Sequence, residues 1–140
     1  MPQKRGPADD GTTLVGKRPE VVLDVVFEDG LLFLAVANIG DAPALGVACK
    51  FGTELYGLGG RHEVSKLRLF EHIAFLGPGR EIRTLLDSSA AYFARGEPTE
   101  VSVTTTYADS AGRSYETVVE HDLEIYRDLA YIPKGRPTDA

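Results

Sequence analysis

The stretch that decides the fold is VVLDVVFEDGLLFLAVAN, residues 21–38. It holds two apolar runs, Val21 to Glu28 and Leu31 to Asn38, separated by Asp29-Gly30. Apolar and polar side chains alternate in the first run, which is typical of a half-buried strand. Asp-Gly between two such runs indicates a hairpin, because glycine takes the positive φ that a tight turn needs. The second run is apolar on both faces, which predicts a central strand.

The chain beyond residue 38 repeats this pattern of short β-rich runs and turn residues. A serine cap, alanines and aromatics predict a single helical turn at Ser88 to Arg95, crossing from one sheet to the other. Strands are predicted at Leu45 to Phe51, in one or two short pieces across Leu67 to Phe75, at Arg80 to Asp87, at Glu100 to Ala108 and at Arg113 to Tyr126.

These runs follow one another at roughly 8–12 residues without strand–helix alternation, which is typical of a two-sheet sandwich. We therefore expect an all-β fold, an immunoglobulin-like two-sheet antiparallel β-sandwich of about seven strands with one short helical turn near 88–95. Alternation places Cys49 inward in the third strand, and favours Ile82, Thr84 and Leu86 as the inward set of the strand that begins at Arg80.

The domain organisation follows from composition. Residues 1–19 carry prolines, glycines and mixed charge, with only Leu14 and Val15 to bury, so they are predicted to form a flexible arm. The sandwich is expected over residues 20–127, followed by a tail at 128–140. A chain of 140 residues is long enough for one hydrophobic core but not for two.

Charge and composition exclude several classes of function. The formal net charge is −6 and the pI is about 5.0, which repels a phosphate backbone, so no nucleic-acid partner is expected. The longest apolar run, residues 31–37, is far shorter than the ~20 residues of a membrane-spanning helix, and the N-terminus does not resemble a signal peptide. The single cysteine forms no intrachain disulfide. A cytoplasmic protein and the soluble part of a membrane-anchored one both fit.

Three segments resemble a known family. They are LAVANIGDAPA at 34–44, LGPGRE at 76–81 and YADSAG at 107–112. Their order and spacing are similar to the bacterial immunoglobulin-like domains of the CARDB (cell-adhesion-related) type, over roughly residues 20–125. The resemblance implies a seven-stranded sandwich and a role in adhesion or assembly, often in surface proteins, and carries over no catalytic residue. The chain departs from the family in lacking an export signal and in having longer segments at 57–62 and 88–95.

No catalytic or metal site is expected from the motifs. The three histidines, His62, His72 and His121, have neighbouring glutamates, but no His-x-His, His-Glu-x-x-His or aspartate-rich loop joins them. No Gly-x-Ser-x-Gly elbow presents a serine nucleophile. We expect no enzyme activity and no cofactor, and the alternative of an enzyme requires His62, His72 and an acid to converge on one point.

The sequence favours a binding function instead. Phe33 and Leu31 lie on the outward phase of a strand that is apolar on both faces, so a partner, a second copy or another part of this chain should cover them. We therefore expect a protein-interaction or assembly module that binds a protein, or itself, through an edge strand, the loop 52–65 or this apolar outer face. Strand addition is the favoured mode.

A carbohydrate- or small-ligand-binding sandwich is the alternative. Tyr56, Arg61 and His62 lie in the glycine-containing loop 52–65, which is long enough to carry function. With Phe33 they are the candidate binding residues. A set of acidic residues on the outward phase of the last strand is interpreted as a solvated face that protects an edge, or alternatively as a patch for a basic partner: Glu116, Glu120, Asp122 and Glu124.

Overall fold

Nine strands, two short helices and two 3₁₀ turns lie along residues 17–129, the part of the chain that the computed structural model describes. The strands are β1 (Val21–Glu28), β2 (Leu31–Asn38), β3 (Ala44–Phe51), β4 (Tyr56–Gly57), β5 (His62–Glu63), β6 (Ile73–Leu76), β7 (Glu81–Ser88), β8 (Glu100–Ala108) and β9 (Ser114–Asp122). The helices are α1 (Arg68–Glu71) and α2 (Ser89–Ala94), and the 3₁₀ turns are Val64–Lys66 and Leu123–Tyr126. No helix in this part of the chain is long and apolar enough to span a membrane.

The long strands form two antiparallel sheets. The first has the order β1-β2-β7 and the second the order β6-β3-β8-β9, while β4 and β5 form a small two-stranded ribbon. The core lies between the two sheets and includes Leu23, Leu34, Val47 and Val103, all almost fully buried. The protein is therefore an all-β antiparallel sandwich, as the sequence predicts, with β2 in the centre of its sheet.

The hairpin and the helical turn form where the sequence places them. Asp29 and Gly30 have φ values of 53° and 79°, and this pair of positive φ angles is the type I′ geometry that matches strand twist. The hydroxyl oxygen of Ser88 accepts a hydrogen bond from the N–H of Ala91 at 3.1 Å and so caps α2. This helix carries the chain from the first sheet to the second.

Two sequence-based predictions need correction. The piece at Arg68–Glu71 is helical rather than a strand, because this turn places Phe70 edge-on against Phe51 in the core, with ring centroids 5.0 Å apart. The last strand ends at Asp122, whose carboxylate accepts from the N–H of Glu124 and starts a 3₁₀ turn. Ile82 pairs with the buried Val36 and so lies on the inward face, as predicted, but it is 40% exposed because it lies near the start of the edge strand β7.

One end of the sandwich is held by the amide of Asn38, which is 1% exposed. Its Oδ1 accepts from the N–H groups of Glu20 and Gly40, and its Nδ2 donates to the carbonyls of Ala42 and Leu76, at 2.9–3.2 Å. Both acceptor sites of the amide oxygen and both N–H donors of the amide nitrogen are therefore used, and they join three chain segments. This explains the Asn-x-Gly stretch at the end of β2 as a structural feature.

The chain ends of the domain fall partly outside the described residues. Residues 1–16 of the predicted arm lie outside the described part of the chain. The rest of the arm contacts the domain: the backbone of Arg18 exchanges hydrogen bonds with Asp41, and Pro19 is buried. Of the predicted tail, residues 130–140 lie outside.

Candidate functional site

The free edge of β1 is closed by side chains. Val21, Leu23 and Val25 direct their carbonyl groups away from β2, and each accepts a hydrogen bond from the last part of the domain. The donors are the hydroxyl of Thr117, Nε2 of His121 at 2.7 Å and the hydroxyl of Tyr126 at 3.3 Å. Because a carbonyl oxygen only accepts, Nε2 of His121 carries the proton in this contact. An incoming strand would have to displace all three side chains.

The edge of β7 is partly covered by the glycine-containing loop. Leu58 donates its N–H to the carbonyl of Leu86 at 2.9 Å, and a Cβ on Gly57 would lie 1.8 Å from that carbonyl oxygen. The carboxylate of Asp87 accepts from the N–H of Gly59 at 3.1 Å and from Arg95 at 2.8 Å. The segment that the sequence presents as a long loop is thus a short ribbon docked on β7.

The structure does not gather the predicted loop residues into one platform. Tyr56 pairs with Glu63 and Gly57 pairs with His62, so the side chains of Tyr56 and His62 point to opposite faces of the ribbon. Arg61 and His62 are exposed. The Tyr56 hydroxyl instead lies between the carboxylates of Glu63 and Glu54, which raise its pKa.

The apolar outer face around Phe33 is covered within the chain. Phe33 is half-buried, and the guanidinium carbon of Arg83 lies 5.3 Å from the centre of its ring. Arg83 is held there by ion pairs with Glu28 at 3.0 Å and Glu81 at 2.7 Å. Ala35, on the same face, is fully buried. A binding role for Phe33 stays a prediction.

A groove of about 540 Å³ runs beside the second half of β3. β6 pairs with β3 only from Ala44 to Val47, whereas residues 48–51 pair with β8 alone. Beyond this pairing, residues of the turns at 64–71 face the second half of β3, and the two segments line the groove together. Such a volume is within the roughly 300–1,000 Å³ of typical ligand sites.

The groove offers backbone groups as well as side chains. Gly52 donates its N–H to the carbonyl of Ser102 on β8 at 2.8 Å. Successive residues of a strand direct their backbone groups to alternate sides, so Lys50 shares the orientation of Gly52, and Cys49 and Phe51 direct theirs towards the groove. Half of β3 therefore presents a short strand edge.

The lining of the groove combines an apolar floor with a charged rim. Phe51, Phe70 and Cys49 contribute to the floor. Burial raises the pKa of the Cys49 thiol, although the hydroxyl of Thr105, which donates to its sulfur at 3.5 Å, acts in the other direction. Cys49 is therefore a protonated thiol at neutral pH. The rim carries Lys50, Lys66, Glu54, Glu63 and Glu71.

One atom of this rim has an unsatisfied hydrogen-bonding requirement. Oε2 of Glu63 is buried and has no hydrogen-bond partner among the described residues. Its other oxygen, Oε1, lies 3.4 Å from the Tyr56 hydroxyl. Buried polar atoms in native proteins are nearly always hydrogen-bonded, so this oxygen requires a donor from outside the described residues, either an ordered water or a ligand group.

Sequence reasoning did not find this groove. It depends on where the pairing between β6 and β3 ends, and this pairing joins residues that are far apart in the sequence. A signal was nevertheless present, because Leu67 and Phe70 have helical spacing directly before a run of only four strand residues that ends at Gly77-Pro78.

The fold and the groove define a β-sandwich domain in which the edge of β3 is partly open. The chain belongs to the family described as Domain of unknown function (DUF8453), whose model matches residues 12–127. The match includes both sheets and the groove. No curated protein and no solved structure matched the chain. Over residues 17–129, no group of three or more histidine, cysteine, aspartate and glutamate side chains is placed to hold a metal ion.

Proposed function

We propose that this domain is a non-enzymatic protein-interaction module that binds an extended segment of a partner protein in the groove beside β3. The observation that carries the proposal is that residues 48–51 of β3 pair with β8 on one side only, and that their other side borders a groove of about 540 Å³. The partner segment is added as a strand that follows β6 along β3, so main-chain hydrogen bonds supply much of its affinity.

The long edges of β1 and β7 are less open than that of β3. Along β1, three side chains already bond to the carbonyls of Val21, Leu23 and Val25. Along β7, Leu58 bonds to Leu86, and charged side chains of Glu81 and Arg83 lie on the strand. Charged and covered edges discourage strand addition, whereas the β3 edge has a groove in front of it.

The floor of the groove supports binding rather than catalysis. Phe51 and Phe70 give it apolar surface that a partner side chain can bury. Cys49 is the thiol in the lining, and its burial, which raises its pKa, favours the unreactive protonated form. The family resemblance to adhesion and assembly domains agrees with a binding role, and it stays a prediction.

Selection of displayed peptides tests this function. A library of random peptides is selected on the domain, and the recovered peptides are measured by calorimetry against two variants. Ala48→Trp fills the groove, because Ala48 lines it, and Ala74→Trp is the matched control on an exposed alanine of β6, outside the lining.

We expect peptides whose affinity falls at least about tenfold, or 1.4 kcal/mol, with Ala48→Trp and is kept with Ala74→Trp. Thermal unfolding confirms that both variants are folded. Failure to recover any peptide, or peptides that bind Ala48→Trp as tightly as the unchanged domain, would contradict the proposal. Binding of a second copy of this chain is a separate outcome, recognised by light scattering, and would also contradict it.

A further inference from the structure

The polar end of the groove holds two carboxylates that share one proton donor. The Tyr56 hydroxyl lies 3.4 Å from Oε1 of Glu63 and 3.5 Å from Oε1 of Glu54. Both distances are at the long limit for a hydrogen bond between oxygens, and a hydroxyl has a single proton to donate. The buried Oε2 of Glu63 receives no donor from residues 17–129.

The lysines of the rim do not neutralise this end in the structure. Lys50 and Lys66 line the groove, but among the described residues neither lies within ion-pair distance of Glu63. The lining contains three glutamates and two lysines, which leaves it with one excess negative charge. A charged oxygen left without a donor in a buried position is more costly than a neutral one. A cationic donor would satisfy this oxygen and balance the excess negative charge of the lining.

We infer that the partner segment carries a lysine or arginine side chain that binds the carboxylate of Glu63; this inference rests on the proposed function. The aliphatic part of such a side chain lies along the apolar floor at Phe51 and Phe70, and its charged end reaches Oε2 of Glu63. A charge-assisted hydrogen bond there gives the groove a preference for basic over neutral residues.

The first test compares peptide selections on three forms of the domain. Glu63→Gln removes the charge at the proposed anchor, and Glu116→Gln makes the same change on the exposed β9, away from the groove. We expect lysine and arginine to be enriched at one peptide position on the unchanged domain and on Glu116→Gln, and to lose that enrichment on Glu63→Gln. Equal enrichment on all three forms, or none, would overturn the inference.

The outcomes separate the inference from the function on which it rests. If peptides lose binding with Ala48→Trp, they need an open groove. If those same peptides show no preference for lysine or arginine, the result would support the proposed function and contradict the Glu63 anchor. The absence of any groove-dependent peptide would remove both.

A second measurement needs no peptide. Because Oε2 of Glu63 is buried without a donor, Glu63→Gln should leave the unfolding midpoint of the free domain unchanged or raise it. A clear fall in the midpoint, with Glu116→Gln unchanged, would show that Glu63 serves the fold rather than a ligand, and would overturn the inference.

Discussion

Nε2 of His121 lies 2.7 Å from the carbonyl oxygen of Leu23, and this contact joins the last strand of the second sheet to the edge strand of the first. Thr117 and Tyr126 make equivalent contacts to Val21 and Val25. Hydrogen bonds at alternate residues replace the neighbouring strand that β1 lacks. These contacts close the sandwich along the edge of β1. The groove beside β3 lies at a different edge, in the second sheet.

Removing two of these hydroxyl groups should weaken the closed edge. We expect Thr117→Val and Tyr126→Phe each to lower the free energy of unfolding by about 1 kcal/mol, because a carbonyl on β1 loses its donor. Urea unfolding measures the loss, and light scattering of the double variant measures self-association through the freed edge. Thr106→Val, on an exposed threonine of β8, is the control and should change stability by less than about 0.5 kcal/mol. Equal effects of Thr117→Val and the control would show that the contact contributes nothing.

The Asn38 amide should be among the most sensitive positions of the fold. Asn38→Ala leaves two N–H groups and two carbonyls without their partner at a site that is 1% exposed. We expect a loss of about 2–4 kcal/mol in the free energy of unfolding. The neighbouring Ile39 is 62% exposed, so Ile39→Ala should be almost neutral. A loss below 1 kcal/mol for Asn38→Ala would mean that water replaces the amide.

Acid should destabilise the domain through Asp87 and Asp109. Burial alone would raise the pKa of each carboxyl group. Hydrogen bonds from Gly59, Arg95 and Ser88 outweigh burial and lower the pKa of Asp87. Hydrogen bonds that Asp109 accepts within its own turn lower its pKa in the same way. The folded pKa values therefore lie below the unfolded value of about 3.9, so both groups add stability above that pH and lose it as the pH falls through the folded values.

Urea unfolding between about pH 6 and about pH 2 checks this effect, because carboxyl groups titrate within roughly that range. Asp109→Asn should be less stable than the unchanged domain at pH 6, because Asn cannot accept from Arg113 and Tyr115 as a carboxylate does. Its stability should also fall less steeply with acid. Asp128→Asn, on an exposed residue, is the control, and its stability should depend on pH as that of the unchanged domain does. If the stability of Asp109→Asn also fell with acid as steeply as that of the unchanged domain, Asp109 would not contribute to the acid sensitivity.

The strands were predictable where the information is local. The bounds of β1, β2 and β8 agree with the predicted ones. Alternation marks β1 and β8, and a continuous apolar run between turn residues marks β2. The Ser88 cap of α2 is equally local. Residues 64–76 were not resolved from sequence, since runs of three or four apolar residues fit a helical turn and a short strand equally well.

The candidate site was less predictable because it depends on contacts between distant residues. The sequence presents residues 52–65 as a long loop, yet Asp87 binds Gly59 across 28 positions of sequence. The sequence predicts that Phe33 is covered by a partner, a second copy or another part of this chain, and periodicity alone could not identify Arg83 as the residue that lies over its ring. The groove borders the part of β3 beyond Val47, where the pairing with β6 ends, and Glu63 lies beside Tyr56 because β5 pairs with β4. Periodicity in the sequence contains neither fact.

Residue-resolved amide hydrogen exchange of the free domain tests the central claim most directly. If half of β3 is an open strand edge, the N–H groups of Cys49 and Phe51 face the groove and should exchange much faster than those of Lys50 and Gly52, which face β8. A groove-binding peptide should then slow the exchange of Cys49 and Phe51 without affecting the other pair. Uniform protection of all four amides in the free domain, or no slowing when the peptide binds, would contradict strand addition at this site.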